Sequence, residues 1–188
     1  MTTSASGQST ALLAELVALF DERATAYAVI GAMAVAVHGA IRASQDADAL
    51  VKVSVAELRD LKSFLELRDY ATQLRVGDHD DPIGAVLEVS DRYGNRVDLL
   101  AGLRGLDGDA FTRVIRVHYE NATLKVIGLE DLIAMKAHAG GPLDLQDARR
   151  ILEANHGALD AELVMQLARK FGADAQRNCE QLLATGAD

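Results

Sequence analysis

Residues 27–53, YAVIGAMAVAVHGAIRASQDADALVKV, constrain the fold of this chain more than any other stretch. They read as an apolar strand, a glycine, a short helix of small residues, a polar loop, and a second strand opened by two aspartates. Successive strand side chains point to opposite faces, so Asp46 and Asp48 share one face and Ala47 and Ala49 the other. Their Cα atoms should lie about 6.6 Å apart, and at an effective dielectric of 20 two such charges repel by roughly 2.5 kcal/mol. A hydrophobic strand that begins this way calls for a cation beside it.

The flanking sequence predicts a helix from about Thr10, its cap, to Arg23, with an apolar stripe from Leu12 to Phe20. Strands follow near 26–30 and 46–53, separated by the small-residue helix that ends at Gly39. Ser54 and Glu57 have capping-box spacing and start a helix to about Arg68. Strands near 70–76, 85–90 and 96–100 come next, the last two joined by the turn DRYGN. A second hairpin is expected near 115–127. Beyond Gly128 four helices are expected, at 129–139, 143–154, 161–171 and 173–183.

Asp98, in RVDLL, shares a strand face with Arg96 and Leu100. If its strand pairs with that of Asp46 and Asp48, neighbours about 4.8 Å apart aim three carboxylates at one point. Three converging carboxylates form a hard oxygen site suited to Mg2+, which takes one or two of them plus water and substrate phosphate. The bland alternative is a solvated loop acid and an exposed strand charge, and Glu88 on the preceding strand competes with Asp98 for the third place. Gly31 closes a strand and opens a helix, which lets a phosphate approach backbone N–H groups; a plain tight turn explains it equally well.

Composition narrows the field. The chain has 188 residues, 49% hydrophobic and 25% charged, enough for a sizeable aliphatic core. A net charge of −9, from 28 acidic and 19 basic residues, argues against broad non-specific nucleic-acid binding. The single cysteine, Cys179, excludes an internal disulfide and a cysteine zinc site. No signal peptide or membrane-length apolar run is read, so a cytoplasmic protein with no membrane partner is expected.

The block GAMAVAVHGAIRASQDADALV resembles the signature of the nucleotidyltransferase fold shared with DNA polymerase beta, closest to the branch of AbiE-type toxins and small bacterial nucleotidyltransferases. The matching positions are Gly31-Ala32, His38-Gly39, Arg42, Ser44 and Asp46-Ala47-Asp48. A second block, GLEDLIAMKAHAGGPLDLQDARRI, resembles the same family at Leu129, Glu130, Asp131, Leu132, Lys136, Asp144 and Asp147. The resemblance implies an α+β fold, a mixed sheet flanked by helices. Residues 1–128 would form the nucleotidyltransferase core and 129–188 a helical part packed on it.

The resemblance further implies a metal-dependent enzyme that moves a nucleoside monophosphate from an NTP to an acceptor hydroxyl and releases pyrophosphate. Asp46, Asp48 and Asp98 would bind Mg2+ or Mn2+, with Asp98 also able to take the acceptor's proton. Gly31, Ala32, Arg42 and Lys136 would meet phosphates, with Asp147 beside them. Ala32 departs from the family's Ser or Gly, which removes a hydroxyl contact worth roughly 0.5–1.5 kcal/mol. The acceptor (tRNA, protein or small molecule) stays open, as do a cognate antitoxin and a homo-oligomer. A non-catalytic nucleotide-binding or toxin–antitoxin component with the same fold is the alternative. His38 reads as a helix-end residue, and Asp78, His79, Asp80 and Asp81 as a solvated acidic loop.

Overall fold

The computed structural model describes residues 3–41 and 44–185, and Arg42 lies outside them. The chain forms two compact units, the first made of residues 1–33, 43–104 and 116–126, the second of 34–42, 105–115 and 127–188.

The first unit is built on a seven-stranded mixed sheet in the order β3-β4-β5-β2-β1-β7-β6. Its strands are β1 (Tyr27–Ile30), β2 (Ala47–Val51), β3 (Ala71–Val76), β4 (Ile83–Ser90), β5 (Arg96–Leu103), β6 (Ile115–Tyr119) and β7 (Ala122–Val126). β3, β4 and β5 run antiparallel in succession, β2 joins β5 in parallel, and β1 lies antiparallel to β2 and parallel to β7. The interior strand β1, between β2 and β7, is buried along its whole length, as its unbroken apolar run requires. In β2, β4 and β5, buried Ala47, Ala49, Leu87, Val89, Val97 and Leu99 alternate with half-exposed residues on the opposite face, where the acids lie. Each buried leucine contributes about 1.5–3 kcal/mol of apolar transfer.

Helix α1 (Ser9–Glu22) packs on β2, β5 and β7 through buried Leu12, Leu13, Leu16, Val17 and Phe20. Thr10, expected as the cap, lies inside the helix, and Gln8 holds the cap position without a side-chain capping bond; the Ser9 hydroxyl serves the sheet. It donates to the Gln45 carbonyl (2.6 Å) and accepts from the Arg96 N–H (3.1 Å). The segment before it is pinned, since the Gln8 N–H donates to Asn95 Oδ1 (2.6 Å) and Asn95 Nδ2 donates to the Ala5 carbonyl (2.8 Å). Helix α3 (Val55–Glu66) has the expected capping box. The Glu57 N–H donates to Ser54 Oγ (3.2 Å) and the Ser54 N–H to Glu57 Oε2 (2.7 Å). Its buried Leu58, Leu61 and Leu65 face β3, β4 and β5.

Helix α2 (Gly31–Val37) follows β1 directly. The second unit holds α4 (Leu129–Ala139), α5 (Pro142–Ala154), α6 (Ala161–Phe171) and α7 (Ala173–Thr185), packed around Ile133, Ala137, Ile151, Leu167, Cys179 and Leu182. Gly140, in the left-handed region at φ 66°, ends α4, and Pro142 begins α5 where its missing N–H costs nothing. Asp160 caps α6 by accepting from the Leu163 N–H (3.0 Å). Arg113 donates to both oxygens of buried Asp131, each at 2.7 Å. Among the described residues no helix is long and apolar enough to cross a membrane.

Candidate active site

The β1–α2 junction fixes the first part of the site. Gly31 adopts φ 63°, and a Cβ built on it would fall 2.1 Å from Asp48 Oδ2. The antiparallel register sets Ile30 opposite Asp48, so the carboxylate of β2 rests against the glycine that opens α2. A side chain at position 31 would occupy the space the carboxylate fills.

Strand pairing then assembles the acids. Asp48 is the in-register neighbour of Asp98 on β5, and Asp98 that of Glu88 on β4. In-register neighbours share a face, so Glu88, Asp98 and Asp48 form a row across three strands. Asp46 immediately precedes β2 and turns to Arg96, whose Nη2 donates to its Oδ2 at 2.5 Å. The same guanidinium lies with Nη1 3.6 Å from Glu88 Oε2 and Nε 3.8 Å from Asp98 Oδ1. Asp98 Oδ1 and Arg96 Nε are both buried and make no hydrogen bond. Burial pushes the Asp98 carboxyl above its usual range, with Arg96 working in the opposite direction. Arg96 is in turn held more firmly protonated, chiefly by Asp98.

Among the described residues no group of three or more His, Cys, Asp or Glu is arranged as a metal cage. The expected three-acid convergence instead takes the form of Asp48 beside Asp98, with Asp46 joined to the patch through Arg96. That donor set fits Mg2+, which commonly takes one or two carboxylates and fills its remaining positions with water and phosphate. The hydrogen-bond vacancy at Asp98 Oδ1 fits a cation as well.

Lys136 and Asp147 lie in the second unit. Lys136 is buried on α4, and its Nζ stands 2.7 Å from Asp144 Oδ1 and 2.9 Å from Asp147 Oδ2, both on α5. This lysine is therefore not a snorkelling surface residue, and the two aspartates serve it. His38 Nε2 lies 2.8 Å from the Ile127 carbonyl, so that nitrogen carries the proton and the ring is structural. The acidic loop closes on itself: Asp78 Oδ1 accepts from the N–H of Asp80 (2.9 Å), and Asp81 Oδ2 accepts from that of Asp78 (2.8 Å).

With this geometry in place, solved structures give the comparison. An antigenic nucleotidyltransferase-like protein from Paracoccidioides brasiliensis superposes with a TM-score of 0.50 at 14% identity, covering 97% of this chain and 89% of its own. ANT(2")-Ia in complex with adenylyl-2"-tobramycin superposes with a TM-score of 0.57 at 15% identity, covering 87% and 96%. The solution structure of the antibiotic-resistance factor ANT(2'')-Ia gives 0.58 at 15% identity, covering 93% and 94%.

The fold is that of the nucleotidyltransferases.

No protein-family model matches the sequence, and no curated protein matches it. The likeness is one of fold, and the chemistry of this nucleotidyltransferase fold has to be argued from the chain's own residues. Sequence reasoning missed the part played by Arg96. Its signal was the Arg96-Val97-Asp98 alternation, which places a guanidinium on the same strand face as the acid it meets.

Proposed function

We propose that this protein is a metal-dependent nucleotidyltransferase that moves a nucleoside monophosphate from an NTP to an acceptor hydroxyl and releases pyrophosphate. The observation that carries this reading is the side-by-side placement of Asp48 and Asp98 on β2 and β5, with Asp48 against the glycine that opens α2.

Asp46, Asp48 and Asp98 are the residues to hold Mg2+ or Mn2+. When bound, such an ion supplies positive charge against the phosphates and the leaving pyrophosphate. Gly31 and Ala32, at the turn from β1 into α2, are the proposed backbone contacts to phosphate. Asp98, beside Asp48, is also the residue proposed to receive the proton lost by an attacking hydroxyl. Arg42 and Lys136 are the proposed phosphate cations, and Asp147 is the residue that orients Lys136.

The acidic balance of the chain supports a small acceptor over a long RNA. So does the adenylyl-2"-tobramycin bound in the crystal structure of ANT(2")-Ia. Membership of the AbiE-type branch, with a cognate antitoxin as partner, rests on the sequence resemblance alone. Calorimetry with Mg2+ and each NTP in turn tests the reading. Metal-dependent heat with at least one NTP is expected, and its absence from folded protein with all of them overturns it.

A further inference from the structure

Arg96 is placed unlike a structural arginine. Arg113 in this chain meets Asp131 with two hydrogen bonds of 2.7 Å, the fork geometry that makes a guanidinium a fixed strut. Among the described residues Arg96 makes one side-chain hydrogen bond, to Asp46, and stands 3.6 Å from Glu88 and 3.8 Å from Asp98, beyond hydrogen-bond reach. Its side chain is 39% exposed, so the guanidinium has an open route to water. Nε and Asp98 Oδ1 face one another unbonded, and separating them costs no hydrogen bond. Asp48 lies beside Asp98 on β2 and β5, and Asp46, Glu88 and Asp98 lie around the Arg96 guanidinium, with Arg75 of β3 also acting on Asp98.

We infer that Arg96 is a resident countercation of the carboxylate patch, exchanged for a divalent ion when the site loads, and that it sets how readily the patch takes metal before nucleotide arrives. This rests on the transferase reading above and adds to it the residue that governs loading. Without metal, the guanidinium relieves the repulsion between Asp46, Glu88 and Asp98 and keeps them aligned. When a divalent ion enters between Asp48 and Asp98, the two cations repel at short range. Arg96 then moves toward solvent, keeping Asp46 or releasing it as a further ligand. The patch therefore resists stray metal and favours an ion that arrives already paired with phosphate, whose negative charge offsets the guanidinium.

The test is Mn2+ binding followed by electron paramagnetic resonance without nucleotide, on the full chain and its Arg96→Gln and Arg96→Lys variants. The Arg96→Gln variant should bind Mn2+ about tenfold more tightly than the parent, equivalent to about 1.4 kcal/mol. The Arg96→Lys variant, which keeps the charge, should stay near the parent. Because Arg96→Gln could unfold, the unaltered chain supplies a second readout: the Arg96 Nε–H resonance should shift as Mg2+ is added. Equal or weaker Mn2+ binding by a folded Arg96→Gln variant, or an unmoved Arg96 resonance while Mg2+ binds, overturns the inference and leaves the transferase reading standing. Absence of metal binding by parent and variants, even with NTP, overturns both.

Discussion

Gly31 and Asp48 occupy each other's space: the Cβ that position 31 lacks would sit 2.1 Å from Asp48 Oδ2 and 2.9 Å from its Cγ. The strand-to-helix turn and the acid on the neighbouring strand are thus one feature. The glycine lets the chain turn at positive φ and leaves room for the carboxylate.

Gly31→Ala tests that coupling. The left-handed backbone should cost about 1–2 kcal/mol of stability, because an L side chain is strained there. The larger effect should fall on function, since the Asp48 carboxylate is the group that must move. Urea denaturation should show the modest loss, and calorimetry should show Mg2+-dependent NTP binding reduced by at least an order of magnitude. Unchanged binding would separate the glycine from the site.

The ion triad of Lys136, Asp144 and Asp147 predicts a different outcome. Asp147 is fully buried, so Lys136→Met removes an ion-pair partner from a buried carboxylate in the helical unit. Removing one partner of a buried pair typically costs about 3–5 kcal/mol. The double variant Lys136→Met/Asp147→Asn should recover part of that loss, which a double-mutant cycle in urea measures directly. Additive losses would show that the pair does not stabilise the helices.

Cys179 gives a pH signature. Burial pushes its thiol up to about 11, above the value of an exposed cysteine. A group whose folded pKa is raised stabilises the fold below its unfolded pKa, and that contribution fades as pH rises toward the folded value. Stability from this thiol should therefore be complete at pH 8 and decline from about pH 9 toward 11. A thiol reagent at pH 8 should react only after denaturant is added, and fast reaction with native protein would contradict the packing.

Much of this was legible in the sequence, for definite physical reasons. Period-two alternation placed Asp46 and Asp48 apart from Ala47 and Ala49, and the buried faces follow it. Ser54 and Glu57 announced a capping box because their reciprocal bonds are local. Cross-strand relations were harder to see. That β2 would lie parallel to β5, setting Asp48 beside Asp98, depends on pairing across about fifty residues. The ring of acids around Arg96 and the burial of Lys136 by α5 depend on tertiary packing in the same way. Thr10 shows the limit at close range: the residue suited to capping α1 lies inside it, past a cap position held by Gln8.

Release of pyrophosphate from an NTP, measured with Mg2+ and a pool of candidate acceptors on the parent chain and on Asp48→Asn, tests the central claim most directly. The account predicts metal-dependent release by the parent, and loss of about a thousandfold or more in a variant that melts like the parent. Nucleotide bound with no pyrophosphate released by the parent, or release undiminished by Asp48→Asn, would contradict it.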